Sequence, residues 1–422
     1  MIAEFQAVVF AAGKGSRFPE VLENRPKCLL PIGPYPLIWY PLRMLHGHGF
    51  VDVIVIVQEH EKMEIQSKLE RTSLKLKIDF CTVLDDSDVG TAEALRLIAD
   101  RIKTDVLLVS CDVITDFSLC NVLKQFRQQD ASVVSLLMHS APSCTGPVPG
   151  VRMKHKSEKD LFAVCPQTNR LVFMGSESDF ENGFELPGHL LRQHEKFDVL
   201  SGLVDAHIYV AKKWVIDILK TNPVLSTIKG ELLPYIIKKQ MCEQKSNLLQ
   251  DASAKMNKNS ETEPDTIKCF VTIAPNTSFG LRVNTLPSFY QANQHIYQVF
   301  ETITNMPVSN LVMKTCDVRS TQMTQTTVGE QTTIQEKTSI SKSTIGANCK
   351  IDSKVRLSDS TLMDNVVIEE GVIIENSIIC DRSVVHSGSV LRNCLVGYNY
   401  VIPIGTKKEN AHLSHLNNFM PI

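Results

Sequence analysis

The chain has 422 residues, and at about 150 residues per domain this predicts two to three domains. Hydrophobic residues at 43% and charged residues at 21% are ordinary for a globular protein, which excludes wholesale disorder and a collagen-like fibre. The 44 basic and 46 acidic residues leave a formal charge of -2, which argues against coating nucleic acid or an anionic membrane.

No run reaches the roughly 18 apolar residues needed to cross a bilayer, and Met1 to Phe10 lacks a basic region followed by a long apolar one. The chain is therefore expected in the cytosol, with no membrane and no direct nucleic-acid partner. Its twelve cysteines are scattered without a C-x-x-C pair. In a reducing compartment they are expected as small buried hydrophobes rather than zinc ligands or disulfides.

From the start to about Gln240, apolar runs of strand length alternate with amphipathic segments of helix length. This is the pattern of a parallel sheet covered by helices. The predicted strands are Phe5 to Ala11, Val51 to Val57, Ile78 to Leu84, Asp105 to Cys111 and Ser132 to Met138. They are rich in Val, Ile and Leu because a parallel strand is buried on both faces. Leu37 to His48, Glu59 to Leu69, Thr91 to Arg101 and Phe117 to Gln129 are predicted as crossover helices. A doubly wound, Rossmann-like α/β domain is expected over residues 1–242.

Directly after the first strand comes Ala11-Ala12-Gly13-Lys14-Gly15-Ser16-Arg17-Phe18, and ten residues beyond Arg17 stands Lys27, within Pro26-Lys27-Cys28-Leu29-Leu30-Pro31. Glycines allow a sharp turn that brings backbone N–H groups against phosphate oxygens, and Arg17 and Lys27 can neutralise their charge. The loop is neither the dinucleotide fingerprint, which needs a third glycine, nor a Walker loop, which needs G-K-[ST].

Residues 243–267 break the alternation with a stretch dense in Asn, Ser, Lys and Glu, expected as a flexible loop or linker. A connector over 268–323 carries a β-like run, Cys269 to Ile273, and a helix around Ser288 to Phe300. From Val328 onward, aliphatic residues recur at steps of six, six and five, so the set repeats every 17 residues through Val328, Ile334, Ile340, Ile345 and on to Ile402. The position four residues after each is mostly small or β-branched, as at Thr332, Thr338, Thr344 and Cys349, with Leu395 the exception. A triangular coil of three short strands per turn satisfies this spacing, each strand placing one aliphatic side chain in a shared interior. A β-helix of hexapeptide repeats is expected over 324–406, followed by a tail, 407–422.

The glycine loop with its Pro-Lys resembles the nucleotide-diphospho-sugar transferase family, the sugar-nucleotide pyrophosphorylases, whose loop is written G-x-G-[ST]-R-[LM] and is followed by P-K-P-[LM]. Gly90-Thr91-Ala92-Glu93-Ala94-Leu95 is similar to that family's G-T-A segment, and Val109-Ser110-Cys111-Asp112 to the strand end whose Asp holds Mg²⁺. Resemblance to left-handed parallel β-helices, which commonly follow this catalytic domain, supplies the handedness of the repeat. Resemblance to the transferase family implies a nucleotide loop at Gly13, Gly15, Arg17 and Lys27 and a metal ligand at Asp112.

Several family groups are missing or changed. No D-x-G segment between Glu231 and the polar linker supplies a second metal carboxylate, and Cys28 replaces the second proline of P-K-P. No lysine occurs from Asp160 through Glu195, where the family's F-x-E-K-P lysine is expected, and Leu171 to Glu177 is the corresponding stretch. Asp205 stands where active relatives show N-A-G-I-Y. The expectation is a fold kept without its reacting groups: no catalytic residues, no cofactor, and a loop and Asp112 that are vestigial.

Further stretches, Pro36 to Leu42, Ser110 to Asp116, Gly202 to His207, Ser226 to Tyr235, Arg282 to Leu286 and Tyr290 to Asn293, resemble the family of translation initiation factor 2B gamma subunits. This implies a non-catalytic scaffold or regulatory subunit of the guanine-nucleotide exchange factor for translation initiation factor 2. Its implied direct partner is the epsilon subunit, with the alpha, beta and delta subunits and initiation factor 2 in the same assembly. In that family exchange is performed by a C-terminal helical-repeat domain of epsilon, for which the 20 residues after Ile402 are expected to leave no room. The alternatives are a working sugar-nucleotide pyrophosphorylase, such as a mannose-1-phosphate guanylyltransferase, and a nucleotide-sugar sensor.

Overall fold

The computed structural model of the chain describes residues 4–13, 15, 18, 25–72, 74–84, 89–139, 148–150, 160–176, 196–240 and 267–415. The polar stretch 243–266 and the end of the tail lie outside the described residues.

Strands Phe5–Phe10, Asp52–Gln58, Lys77–Val83, Asp105–Ser110 and Val133–His139 form where the apolar runs predict them. The first four pair in parallel in the order Lys77–Val83, Asp52–Gln58, Phe5–Phe10, Asp105–Ser110. Successive side chains of a strand point to opposite faces. Val8 therefore joins one core layer with Val106 and Leu108, while Ala7 and Val9 join the other with Leu107 and Val109. Helices Trp39–Gly47, Lys62–Glu70, Thr91–Leu97 and Leu119–Gln128 cover the sheet; the third ends early and continues as the 3-10 turn Ala99–Arg101.

The sheet is mixed rather than all-parallel. Leu203–Ala211 lies between Asp105–Ser110 and Val133–His139, antiparallel to both. Beyond Val133–His139 the sheet continues through Cys269–Ile273, Arg170–Ser176, Asp160–Cys165 and Asp198–Leu200 to ten strands. The β-like run after the polar break is thus an inner strand of the sheet, parallel to Val133–His139.

Helix Leu286–Thr304 joins the two halves. Thr285 and Ser288 form a capping box at its start, and Asn305, left-handed at φ 53, ends it. Its Phe289, Ala292, Ile296 and Phe300 pack with Leu37, Trp39 and Tyr40 of the first domain and with Met363, Ile378 and Leu395 of the second, in one apolar cluster.

The second domain is a left-handed β-helix of three six-stranded parallel sheets. Pairing follows the 17-residue repeat: Ile334 lies beside Ile351, Ile340 beside Leu357 and Ile345 beside Leu362. Each of the fourteen aliphatic positions from Val328 to Ile402 is at most 2% exposed. The coil turns its corners through left-handed residues, among them Asn348, Asn365, Asn399, Gly371, Gly388 and Gly405. Asn and Gly tolerate that conformation better than other residues.

Candidate functional site

The predicted loop follows Phe5–Phe10 at the C-terminal end of the parallel strands, where ligands bind in open α/β sheets. The Ala11 N–H donates to the Ile56 carbonyl, and Gly15, left-handed at φ 64, accepts from the Phe18 N–H at 2.9 Å. Gly15 needs its glycine for the backbone; Gly13 is exposed, with open space where a Cβ would stand. Arg17 lies outside the described residues.

Lys27 and Asp112 meet. Lys27, on the 3-10 turn Lys27–Leu29, donates from Nζ to Asp112 Oδ2 at 2.6 Å. Asp112 follows strand Asp105–Ser110 and is 1% exposed. A third member, Arg282, comes from the short strand Gly280–Arg282, which pairs antiparallel with Val113–Thr115. The Val283 N–H fixes that strand on the Asp112 carbonyl at 2.8 Å. Arg282 Nη2 then lies 3.2 Å from Asp112 Oδ2, and its Nε 3.4 Å from Oδ1. Burial alone would raise the Asp112 carboxyl, but Arg282 and then Lys27 outweigh it and hold the group well below the usual carboxylate range.

Beside this clamp the pairing of Leu203–Ala211 with Val133–His139 is irregular between Asp205 and Tyr209. The break leaves His207 left-handed at φ 52, with its N–H donating to Asp205 Oδ1 at 2.8 Å. Burial and then Arg282 drive the His207 imidazole well below its ordinary value, so the ring is neutral, and its buried Nε2 finds no hydrogen-bond partner among the described residues. Asp205 is fully buried, takes the Tyr209 hydroxyl on Oδ2, and is raised by burial against the pull of Lys229. Lys229, on the π-helical turn Ile228–Leu232, pairs with buried Asp160 at 2.8 Å.

The Gly90-Thr91-Ala92 segment seats that turn. The Ala92 N–H donates to the Ser226 carbonyl and the Ile228 N–H to the Thr91 hydroxyl, each at 2.9 Å. A Cβ on Gly90 would stand 2.2 Å from the Ser226 carbonyl oxygen. No lysine follows Asp160 in its own stretch, yet Lys229 reaches that carboxylate from elsewhere.

Sequence reasoning thus brought Lys27 and Asp112 forward but not Arg282, Lys229, Asp160 or His207 as site residues. Three of these lie in the stretches Arg282 to Leu286, Ser226 to Tyr235 and Gly202 to His207, whose polar residues carry no recognisable spacing, and Asp160 lies in none of them.

The resemblance implies Mg²⁺ at Asp112, and the residues present do not fit it. Both carboxylate oxygens already face cationic nitrogens of Lys27 or Arg282, so a divalent ion would meet like charge. Among the described residues, no group of three or more His, Cys, Asp or Glu side chains is placed to hold a metal.

Comparison with known proteins agrees with the two-part plan. A family model described as "Nucleotidyl transferase" matches residues 6–144, and one described as "EIF2B subunit epsilon LbH domain" matches residues 311–407. The chain is 32% identical over 343 residues to "Translation initiation factor eIF2B subunit gamma" of Schizosaccharomyces pombe, covering 79% of this chain and 73% of that protein. Proteins of the same name are 28% identical in Caenorhabditis elegans, over 70% of this chain and 69% of that protein, and 27% identical in Dictyostelium discoideum, over 79% and 85%.

Proposed function

The chain belongs to the family of eIF2B gamma subunits, and from this we propose that it is a non-enzymatic, regulatory subunit of the complex that exchanges GDP for GTP on translation initiation factor 2. It works in the cytosol beside the catalytic epsilon subunit, in an assembly with the alpha, beta and delta subunits, and it contributes docking surface for the initiation factor. Holding that factor near the catalytic subunit raises the local concentration of the reacting pair.

The observation that carries the non-enzymatic reading is the clamp on Asp112. Nucleotidyl transfer needs a metal and free cationic groups to spread the charge of a triphosphate. Here Lys27 and Arg282 are spent on the carboxylate that would hold the metal. Gly13, Gly15, Arg17 and Lys27 are then the remnant of a nucleotide loop, and Asp112 the remnant of a metal ligand, kept because it anchors the strand pair beside it.

Affinity capture of the tagged full chain should recover the alpha, beta, delta and epsilon subunits with initiation factor 2. The purified chain with magnesium, GTP and mannose 1-phosphate should release no pyrophosphate beyond background. Sustained release that Asp112→Ala abolishes would overturn the reading, as would capture of only further copies of the chain.

A further inference from the structure

The contact between the two domains is apolar where Tyr40, Phe289 and Phe300 meet Met363, Ile378 and Leu395. Beside Met363 and Cys380, two carboxylates stand one above the other on successive rungs. Asp381 Oδ1 accepts the Asp364 backbone N–H at 2.8 Å, across a separation of 17 residues, and Asp364 Oδ1 accepts the Ala347 N–H at 2.8 Å. The β-helix ladder itself therefore stacks the two acids.

Arg25 of the first domain reaches between them. Its Nη2 lies 2.8 Å from Asp364 Oδ2 and its Nε 3.0 Å from Asp381 Oδ2, while Nη1 donates to the Leu29 carbonyl at 3.3 Å. Lys68, on helix Lys62–Glu70, stands 3.6 Å from Asp364 Oδ2. The three main side chains are only 12%, 8% and 7% exposed for Arg25, Asp364 and Asp381. Glu64, on the same helix as Lys68, also acts on Arg25, and the Cys349 thiol lies within the field of both acids.

One guanidinium faces two stacked carboxylates, and among the described residues the one further cation in the cluster, Lys68, stands beside Asp364. Two acids sharing a site cannot both ionise at their ordinary values. Burial opposes Asp364, but Arg25 and Lys68 outweigh it and keep that carboxyl low. Burial, with the charge of Asp364 added, pushes Asp381 up to about 6 despite Arg25.

We propose that Arg25, Asp364 and Asp381 form a proton-linked latch between the pocket domain and the β-helix, with Asp381 as the carboxyl that takes a proton from solvent. A raised folded value means that the Asp381 contribution is fully present below its unfolded value, about 4, and is lost as pH rises through about 6. Asp364, held low, contributes above its own unfolded value and is lost only as pH falls further. The range between about 4 and 6 therefore belongs to Asp381. At neutral pH the latch holds an ionised and mutually repelling pair; mild acid tightens it.

The test uses the full chain with Trp214→Phe as parent. Trp39, in the interdomain cluster and stacked on Tyr35 at 3.9 Å, then reports unfolding of the contact. Denaturant unfolding is followed from pH 7.5 to pH 5, with and without Asp381→Asn. Relative to the carboxamide variant, the folded-to-unfolded ratio of the parent should rise about tenfold as pH falls across that range. A relative ratio that stays flat overturns the proposal, because a merely structural ion pair shifts stability equally at every pH. Arg25→Gln supplies a second readout should Asp381→Asn fail to fold: removing the guanidinium should move the pH dependence to higher pH. An unmoved profile in that variant also overturns the latch.

Discussion

The β-helix and the pocket domain solve the burial problem in opposite ways. In the interior of the β-helix every rung repeats the same aliphatic contact, so Ile334, Ile351, Ile368 and Val385 follow one another down a single sheet, each resting on the aliphatic neighbours of the adjoining rungs. Stability there is close to a sum of neighbour terms. The pocket domain instead buries charge, and each charge has particular partners: Asp112 between Lys27 and Arg282, Asp160 against Lys229, Asp205 under Tyr209. Nothing repeats, so no neighbour can stand in for a lost partner. One architecture tolerates local faults, and the other concentrates its vulnerability in a few atoms.

Asp112→Ala tests that contrast most severely. Removing one partner of a buried ion pair leaves uncompensated charge and costs about 3–5 kcal/mol, here with Lys27 and Arg282 left facing each other. The urea midpoint of the full chain should fall accordingly, with an unchanged slope. A loss of stability below about 1 kcal/mol, the range of an exposed pair, would show that the clamp is no anchor and break the comparison.

The same contrast explains what the amino-acid order reveals. The β-helix was legible because its periodicity is one-dimensional: Val328 to Ile402 obey a spacing that can be counted without knowing the fold. The parallel strands were legible for a similar reason, as Val8 to Phe10 or Val106 to Val109 are apolar on both faces. The clamp was not. Arg282 lies 170 residues from Asp112 and Lys229 lies 69 from Asp160, and such pairs are chosen by the crossing of strands rather than by local pattern. Leu203–Ala211 was hidden too, since a buried strand reads alike whichever way it runs, and its antiparallel course is set by the chain's return path.

Ile368→Ala sharpens the repeat side of the comparison. Ile368 is fully buried between Ile351 and Val385, and removing its side chain should cost about 3 kcal/mol, within the range for aliphatic truncation in a core. The loss should stay near the affected rungs. Hydrogen exchange followed by mass spectrometry should show faster exchange in the strands on either side and unchanged protection in Phe5–Phe10 and Asp105–Ser110. Faster exchange spread evenly over both domains would mean that the rungs do not act as separate neighbours.

The smallest expected effect isolates the corners from the core. Asn365 is exposed and left-handed at φ 59, and its N–H donates to the Ala347 carbonyl at 2.8 Å. An alanine there keeps that backbone bond and changes no buried contact, so its only burden is the left-handed conformation, about 1 kcal/mol. Glycine at the same place carries no such strain, as Gly371, Gly388 and Gly405 do at other corners, and its greater freedom in the unfolded chain works the other way. Asn365→Ala should therefore lower the thermal midpoint by a few degrees while Asn365→Gly stays near the parent. Equal losses for both would place the stabilisation in the asparagine side chain rather than in the backbone turn, and the repeat would then rest partly on chemistry particular to each corner, as the pocket does.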